Sequence, residues 1–115
     1  MRIERGSVAL VRLDPVAGHE QSGLRPCVVI SNPDVTGEQR YPVVRVVPVT
    51  GTRLRGRLYP GLAARPGGLR KSSCALADQA RSIDKRRITR LYGAVSEEEQ
   101  LKIDEALILF LGLGF

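Results

Sequence analysis

The sequence predicts a mainly β (α+β) fold: a small, strongly twisted, barrel-like sheet with one C-terminal helix. Short Val-rich runs recur between breaks that carry Pro, Gly and Asn. Only the last segment has apolar residues at helical spacing. No internal repeat, linker or shift in composition divides the 115 residues, so one domain over 1–115 is expected.

Residues 7–13, SVALVRL, read as a first strand ending at the turn signal Asp14-Pro15. A polar, Gly-punctuated loop (14–25) precedes a continuous apolar strand, PCVVISN (26–32). The turn Asn32-Pro33-Asp34 stops it, and Gly37 to Arg40 continue as loop. YPVVRVVPVT (41–50) is a third strand, and Pro48, which has no N–H for a ladder, predicts an edge or a bulge near its end. GTRLRGR (51–57) reads as a solvated basic hairpin tip, Leu58-Tyr59 as a weak strand, and 60–71 as a Pro- and Gly-rich loop. SSCALADQA (72–80) is a fifth strand, carried past a kink by RSI (81–83). Asp84 is placed to cap a short helical turn through Lys85, Arg86 and Arg87, and LYGAV (91–95) is a last strand.

Ser96-Glu97-Glu98-Glu99 is a capping box, with a hydroxyl at the N-cap and a carboxylate three residues on. The helix it opens carries Ile103, Leu107, Phe110 and Leu111 in one stripe, expected to pack on the sheet with Glu105 facing out. Gly112 and Gly114 stop it.

The apolar content of 43% excludes a disordered chain, and the longest apolar stretch, Ala106 to Phe115, is too short to span a bilayer. With no charged-then-apolar leader, a soluble cytoplasmic protein is expected. Cys27 and Cys74 sit within apolar runs and read as small buried hydrophobes rather than as a disulfide. One histidine and two separated cysteines assemble no zinc set, so neither a metal nor another cofactor is expected. The net charge of +6 is uneven: residues 53–90 hold eleven Lys/Arg against Asp78 and Asp84. Such a segment attracts a polyanion by counterion release, although an arginine-rich surface also arises without one.

The densest polar stretch, Gly18 to Pro26, lies immediately before a buried strand. Arg25 precedes Pro26, which restricts its backbone to extended geometry, and a guanidinium grips a phosphate with two parallel hydrogen bonds. A structural arginine paired with a carboxylate has the same appearance. His19 is the only histidine and suits acid–base work, or is an ordinary surface residue. Glu20 suits a base, a ligand for a base edge, or a solvated loop acid. Thr50 ends a strand where a hydroxyl reaches a phosphate oxygen or merely terminates the ladder. Asp78-Gln79 either reads a base edge or pins the end of the sheet, and Lys85-Arg86-Arg87 is a charge run of the kind that is usually solvated.

Taken in order, these segments resemble the MazF/PemK (Kid) family of toxins. The resemblance rests on Arg5-Gly6, Leu13-Asp14-Pro15, Gly18-His19-Glu20-Gln21-Ser22-Gly23 and Arg25-Pro26. It continues through Val47-Pro48-Val49-Thr50, Ala77-Asp78-Gln79, Arg81-Ser82-Ile83-Asp84-Lys85-Arg86 and the terminal helix. It implies an SH3-like barrel, a homodimer, and metal-independent cleavage of single-stranded RNA to 2′,3′-cyclic phosphate and 5′-hydroxyl ends, which arrests growth. The family's catalytic pair falls on Arg25 and Thr50, with His19 and Glu20 as acid–base candidates. Its RNA contacts fall on Glu20, Gln21, Asp78, Gln79, Arg81, Lys85 and Arg86. The partner implied is an antitoxin with an acidic, partly disordered tail. The chain departs from the Kid branch at Leu76 and Ala77, where that branch has an arginine, and at Ala9, where the family often has an aromatic. Two non-catalytic alternatives share the barrel: a gyrase-binding toxin of the CcdB type and a silent RNA-binding relative.

Overall fold

A computed structural model describes residues 3–14, 17–32, 41–65 and 69–114. The expected turn Asn32-Pro33-Asp34 and loop 37–40 lie mostly or wholly outside these residues, as does Pro15 of the first turn. Seven strands form a curled half-barrel: β1 (Ser7–Arg12), β2 (Leu24–Val29), β3 (Val43–Thr50), β4 (Gly61–Leu62), β5 (Ser73–Ala75), β6 (Arg81–Asp84) and β7 (Ile88–Ala94). Hydrogen-bonded order is β4-β5-β3-β2-β1-β7, with β6 pairing β3 off this path. Among the described residues one α-helix, α1 (Glu97–Leu111), follows.

The Val-rich strands read as continuous runs because both of their faces are buried. Val8, Val28, Val47 and Val49 pack with Ile103, Ala106 and Leu107 of α1 on one face. Ala9, Val11, Cys27, Val29, Val44 and Val46 pack with Leu13, Ile83 and Ile88 on the other. Each fully buried valine contributes roughly 1.5–3 kcal/mol relative to an exposed one. A strand covered on one side only would alternate apolar and polar residues instead. Cys27 and Cys74 are both buried and free, as expected.

β3 is the hub. Its first half pairs β6 (Val43↔Asp84 to Val46↔Arg81), and its end pairs β5 (Val49↔Ala75, Thr50↔Cys74). Pro48 falls at the break between those partners, and its carbonyl accepts from Leu76 N–H at 2.8 Å. A strand residue's N and C=O point to the same side, so the missing N–H lies where the ladder is already interrupted.

Several boundaries differ from the sequence expectation. Leu58-Tyr59 is no strand; the two-residue β4 lies further on, at Gly61–Leu62, inside the segment read as loop. The fifth strand is three residues long and gives way to a 3₁₀ turn, Ala77–Gln79. The last strand starts at Ile88 rather than Leu91, because the Asp84-capped turn Lys85–Arg87 leads directly into it.

The capping box is complete: Ser96 Oγ accepts from Glu99 N–H at 3.1 Å, and Glu99 Oε1 from Ser96 N–H at 2.9 Å. Gly112, at φ +71°, ends α1 with paired bonds from Gly112 and Leu113 N–H to Leu109 and Ile108 C=O. The apolar stripe is shorter than expected. Ile103, Ala106 and Leu107 are buried, but Phe110 and Leu111 are 47% and 52% exposed. Periodicity sets which side of a helix is apolar, whereas the sheet beneath ends before the last turn. Glu105 faces out as expected. Among the described residues no helix is long and apolar enough to cross a membrane.

Candidate functional site

The loop before β2 is held at both ends and in the middle. Leu13 N–H donates to Gly23 C=O at 2.8 Å, closing it, and Gly23 takes the left-handed φ of +75° that this closure requires. Gln79 reaches across from the 3₁₀ turn: its Oε1 accepts from Gln21 N–H at 2.7 Å and its Nε2 donates to His19 C=O at 3.4 Å. One side-chain amide thus fixes the backbone of 19–21, while the His19 and Glu20 side chains remain exposed.

Arg25 lies in β2 opposite Val11 of β1, exposed, with its Nε donating to Ser22 C=O at 2.9 Å. Thr50 ends β3, half-buried, and its Oγ1 accepts from Thr52 N–H at 3.2 Å. β2 and β3 pair from Val29↔Val46 to Cys27↔Pro48. Continuing that register by two residues puts Arg25 level with Thr50. There the strands part, because β2 stays with β1 while the end of β3 turns to β5. A cavity of about 380 Å³ opens at the parting, lined by Arg25, Pro26, Val49, Gly51, Arg70 and Lys71 among others. A guanidinium and two further cations around one cavity, with Thr50 between the lining residues Val49 and Gly51, suit an anion whose charge grows during reaction.

Asp78 sits in the 3₁₀ turn, where its Oδ2 accepts from the Tyr59 hydroxyl at 2.8 Å. That bond and the nearby negative charge push the Tyr59 phenol up from its usual value. Asp78 Oδ1 is buried and without a partner among the described residues. Arg81 donates to Leu13 C=O at 3.1 Å, tying β6 to the end of β1. Burial pushes the Cys27 thiol up to about 12, against a smaller opposing effect of Arg81.

Lys85 and Arg86 stand apart from this group. They follow Asp84, which pairs Val43 at the far end of β3, whose eight residues place them about 23 Å from Thr50 at ~3.3 Å per residue. Arg86 is also bound to Asp84 through Nε (3.1 Å) and Nη2 (3.0 Å), and these bonds hold the Asp84 carboxyl below its usual value. The fold therefore brings Arg25 and Thr50 together, sets Glu20, Gln21, His19 and Gln79 beside one another on the adjoining loop, and leaves Lys85 and Arg86 elsewhere. Sequence reasoning missed Arg70, Lys71 and Tyr92 as cavity residues. The available signal was the position of Arg70-Lys71 just before the strand that pairs Thr50. Among the described residues no three His, Cys, Asp or Glu side chains are grouped to hold a metal ion.

A curled half-barrel with a terminal helix is a fold seen in solved toxin structures. The fold is similar to MazF from Deinococcus radiodurans, with a TM-score of 0.80, 28% identity, and 98% and 99% of the two chains covered. It is similar to a chain of the MazE–MazF complex of that organism (TM-score 0.75, 25% identity, 99% of each chain covered). It also resembles a mycobacterial endoribonuclease solved with its cognate antitoxin (TM-score 0.77, 24% identity, 98% of each chain covered), a likeness that speaks for the fold alone. Residues 4–111 match the family of PemK-like, MazF-like toxins of type II toxin–antitoxin systems, and the chain belongs to that family.

Proposed function

We propose that this toxin is a metal-independent endoribonuclease that cuts single-stranded RNA at short sequences, with Arg25 and Thr50 at the reacting phosphate. The observation that carries the reading is the common register line of Arg25 and Thr50 beside a cavity that Arg25 and the Thr50 neighbours Val49 and Gly51 line, without a carboxylate among its described lining residues. The ribose 2′-oxygen attacks the adjacent phosphorus, forming the cyclic 2′,3′-phosphate as the bond to the 5′-oxygen breaks. The 2′-OH proton passes to Glu20 or His19 on the pinned loop, and the departing 5′-oxygen takes a proton from water. Arg25 faces the equatorial oxygens, and the Thr50 hydroxyl donates to one of them as negative charge accumulates there. Arg25 acts electrostatically, since a guanidinium does not give up its proton near neutral pH. Gln21, Gln79, Asp78 and Arg81 shape the RNA path beside the loop, and Lys85 and Arg86 meet RNA only outside the cleft.

The protein works in the cytoplasm as a single toxin domain, in a homodimer, under control of a cognate antitoxin. An acidic, partly disordered antitoxin segment competes with RNA for the basic middle of the chain. Residues 53–90 supply that attraction with eleven Lys/Arg against two acids. The apolar end of α1, where Ile108, Leu109 and Phe110 are exposed, provides further surface for a partner.

Incubating purified protein with long single-stranded RNA in EDTA tests the reading. Discrete cuts support it. Intact RNA from folded protein moves the function to gyrase binding or to silent RNA binding.

A further inference from the structure

Lys71 is not a free surface lysine. Ser73 Oγ donates to Lys71 C=O at 2.9 Å, fixing its backbone at the start of β5. Its side chain lies against Gly51, the residue after Thr50. A Cβ added to Gly51 would stand 2.4 Å from Lys71 Cε and 3.0 Å from Nζ. The absence of a side chain at 51 is therefore what lets the ammonium settle beside the turn that ends β3. β5 pairs β3 through Thr50↔Cys74, which brings the residues before β5 close to the turn after Thr50.

The same cavity is lined by two unlike sets of side chains. Arg25, Arg70 and Lys71 supply three cations, and none of them is in an ion pair among the described residues. The lining also includes Leu10, the buried Leu69 and Tyr92. The Arg90 guanidinium stands over the Tyr92 ring at 5.4 Å from its centroid, so the aromatic wall itself carries a cation. Unpaired cations and an aromatic ring around one cavity match the two halves of a nucleotide, an anionic phosphate and a flat, weakly polar base. Only 4% of the chain is aromatic, which makes the presence of one of its few rings in this cavity informative.

We propose that the cavity is a nucleotide subsite, in which Lys71 and Arg70 hold the phosphate next to the one at Arg25 and Thr50, and Tyr92 receives the base. The proposal rests on the RNA-cleaving reading for the phosphate at Arg25. It assigns Lys71, Arg70 and Tyr92 to substrate binding and positioning, and Gly51 to making room for the Lys71 side chain. A base packed on a ring is discriminated by its fit rather than by a hydrogen-bond code, so Tyr92 affects which sequences are cut. Lys71 and Arg70 meet only the backbone, so they affect all sequences alike.

The test separates this subsite from the cleavage reading by using two substrates. Long single-stranded RNA in EDTA reports cutting and cut positions. Single-stranded DNA of the same sequence lacks the 2′-hydroxyl, is not cut, and reports binding across a salt series. Lys71→Ala is expected to weaken DNA binding uniformly across sequences and to lower the salt slope by about one, with Lys71→Arg restoring most of the loss. Tyr92→Ala is expected to weaken binding roughly 5- to 150-fold, as the loss of one stacked base does, and to redistribute cuts among sites, whereas Tyr92→Phe retains the wild-type pattern. Gly51→Ala displaces the Lys71 side chain and is expected to reproduce part of the Lys71→Ala loss, while adding nothing once Lys71 is already alanine. Wild-type binding and an unchanged cut pattern in Lys71→Ala and Tyr92→Ala, with cutting still lost in Arg25→Ala, would overturn the subsite and leave the ribonuclease standing. Uncut RNA from the wild-type protein, with DNA binding weakened in Lys71→Ala and Tyr92→Ala, would uphold a nucleotide site and overturn the cleavage reading.

Discussion

Arg25 and Thr50 share one register line of the β2–β3 ladder, two residues beyond its last pair, Cys27↔Pro48. The two strands separate at that point, and a cavity lined by Arg25 and by the Thr50 neighbours Val49 and Gly51 opens there. The rigid paired part of the ladder sets their spacing, and the parting gives a phosphate access.

Thr50→Val keeps the volume and removes the hydroxyl. Its expected effect is a fall of about 10²–10³ in kcat, the usual result of removing one oxyanion donor. The thermal midpoint should move little, because the Thr50 hydroxyl only accepts a local bond from Thr52 N–H. Single-turnover cleavage and a melting curve on the same preparation check both halves. Wild-type kcat in Thr50→Val would remove Thr50 from the reacting phosphate.

Gln79 holds the 19–21 backbone through Gln21 N–H and His19 C=O. Gln79→Ala is therefore expected to cost about 1 kcal/mol of stability, to raise amide exchange at 19–23 and to lower activity, although Gln79 lies outside the Arg25–Thr50 pair. Gln79→Glu keeps the acceptor for Gln21 and loses the donor to His19, so its effect is smaller. Hydrogen exchange with activity on both variants checks this, and an unchanged exchange profile in Gln79→Ala would contradict it.

Glu99 joins three parts of the fold. Beyond its capping-box bond, its Oε2 accepts from Ala63 N–H at 2.8 Å and its Oε1 is paired with Arg65. Burial acts to raise the Glu99 carboxyl, but the bonds from Ser96, Ala63 and Arg65 outweigh it and leave the group lowered. A carboxyl lowered in the folded state contributes stability that is present above its unfolded value of about 4.3 and is lost as pH falls through the folded one. Glu99→Gln should thus lose about 1 kcal/mol at pH 7 and flatten the stability–pH curve below about pH 4.3. Denaturant melts across pH measure the slope directly, and parallel curves for the two proteins would contradict the account.

Cys27 is fully buried one residue from Pro26 and opposite Pro48, and its thiol is held up at about 12. The thiolate is the reactive form, so native protein at pH 8 should resist alkylation at Cys27 and denatured protein should react. Peptide mass spectrometry after both treatments reads the result. Rapid labelling of native Cys27 would mean that the β2–β3 ladder opens readily.

How much of this was legible in the sequence depended on the range of the interaction. Ser96–Glu99 and Asp84 are local caps whose partners lie within three residues, and both appear as read. The valine runs announced strands, and their continuity reflected burial on two faces. β4 was not legible, since two residues form a strand there only because Cys74 and Ser73 lie alongside. Leu58-Tyr59 looked more strand-like, yet the Tyr59 hydroxyl is committed to Asp78. Phe110 and Leu111 fitted the stripe, but spacing along a helix does not tell where the sheet below it stops. At the site, Arg25-Pro26 and Thr50 carried local signals. The gathering of Arg70, Lys71 and Tyr92 around them depends on β5 and β7 pairing with strands distant in sequence, and no local pattern encodes it.

The most direct test of the central claim is the chemistry of the ends that the protein leaves on single-stranded RNA in EDTA, read by mass spectrometry for the wild type and Arg25→Ala. The account predicts 2′,3′-cyclic phosphate and 5′-hydroxyl ends from the wild type and no cleavage from a folded Arg25→Ala. Ends bearing a 5′-phosphate and 3′-hydroxyl, or equal cleavage by the two proteins, would contradict transesterification at Arg25.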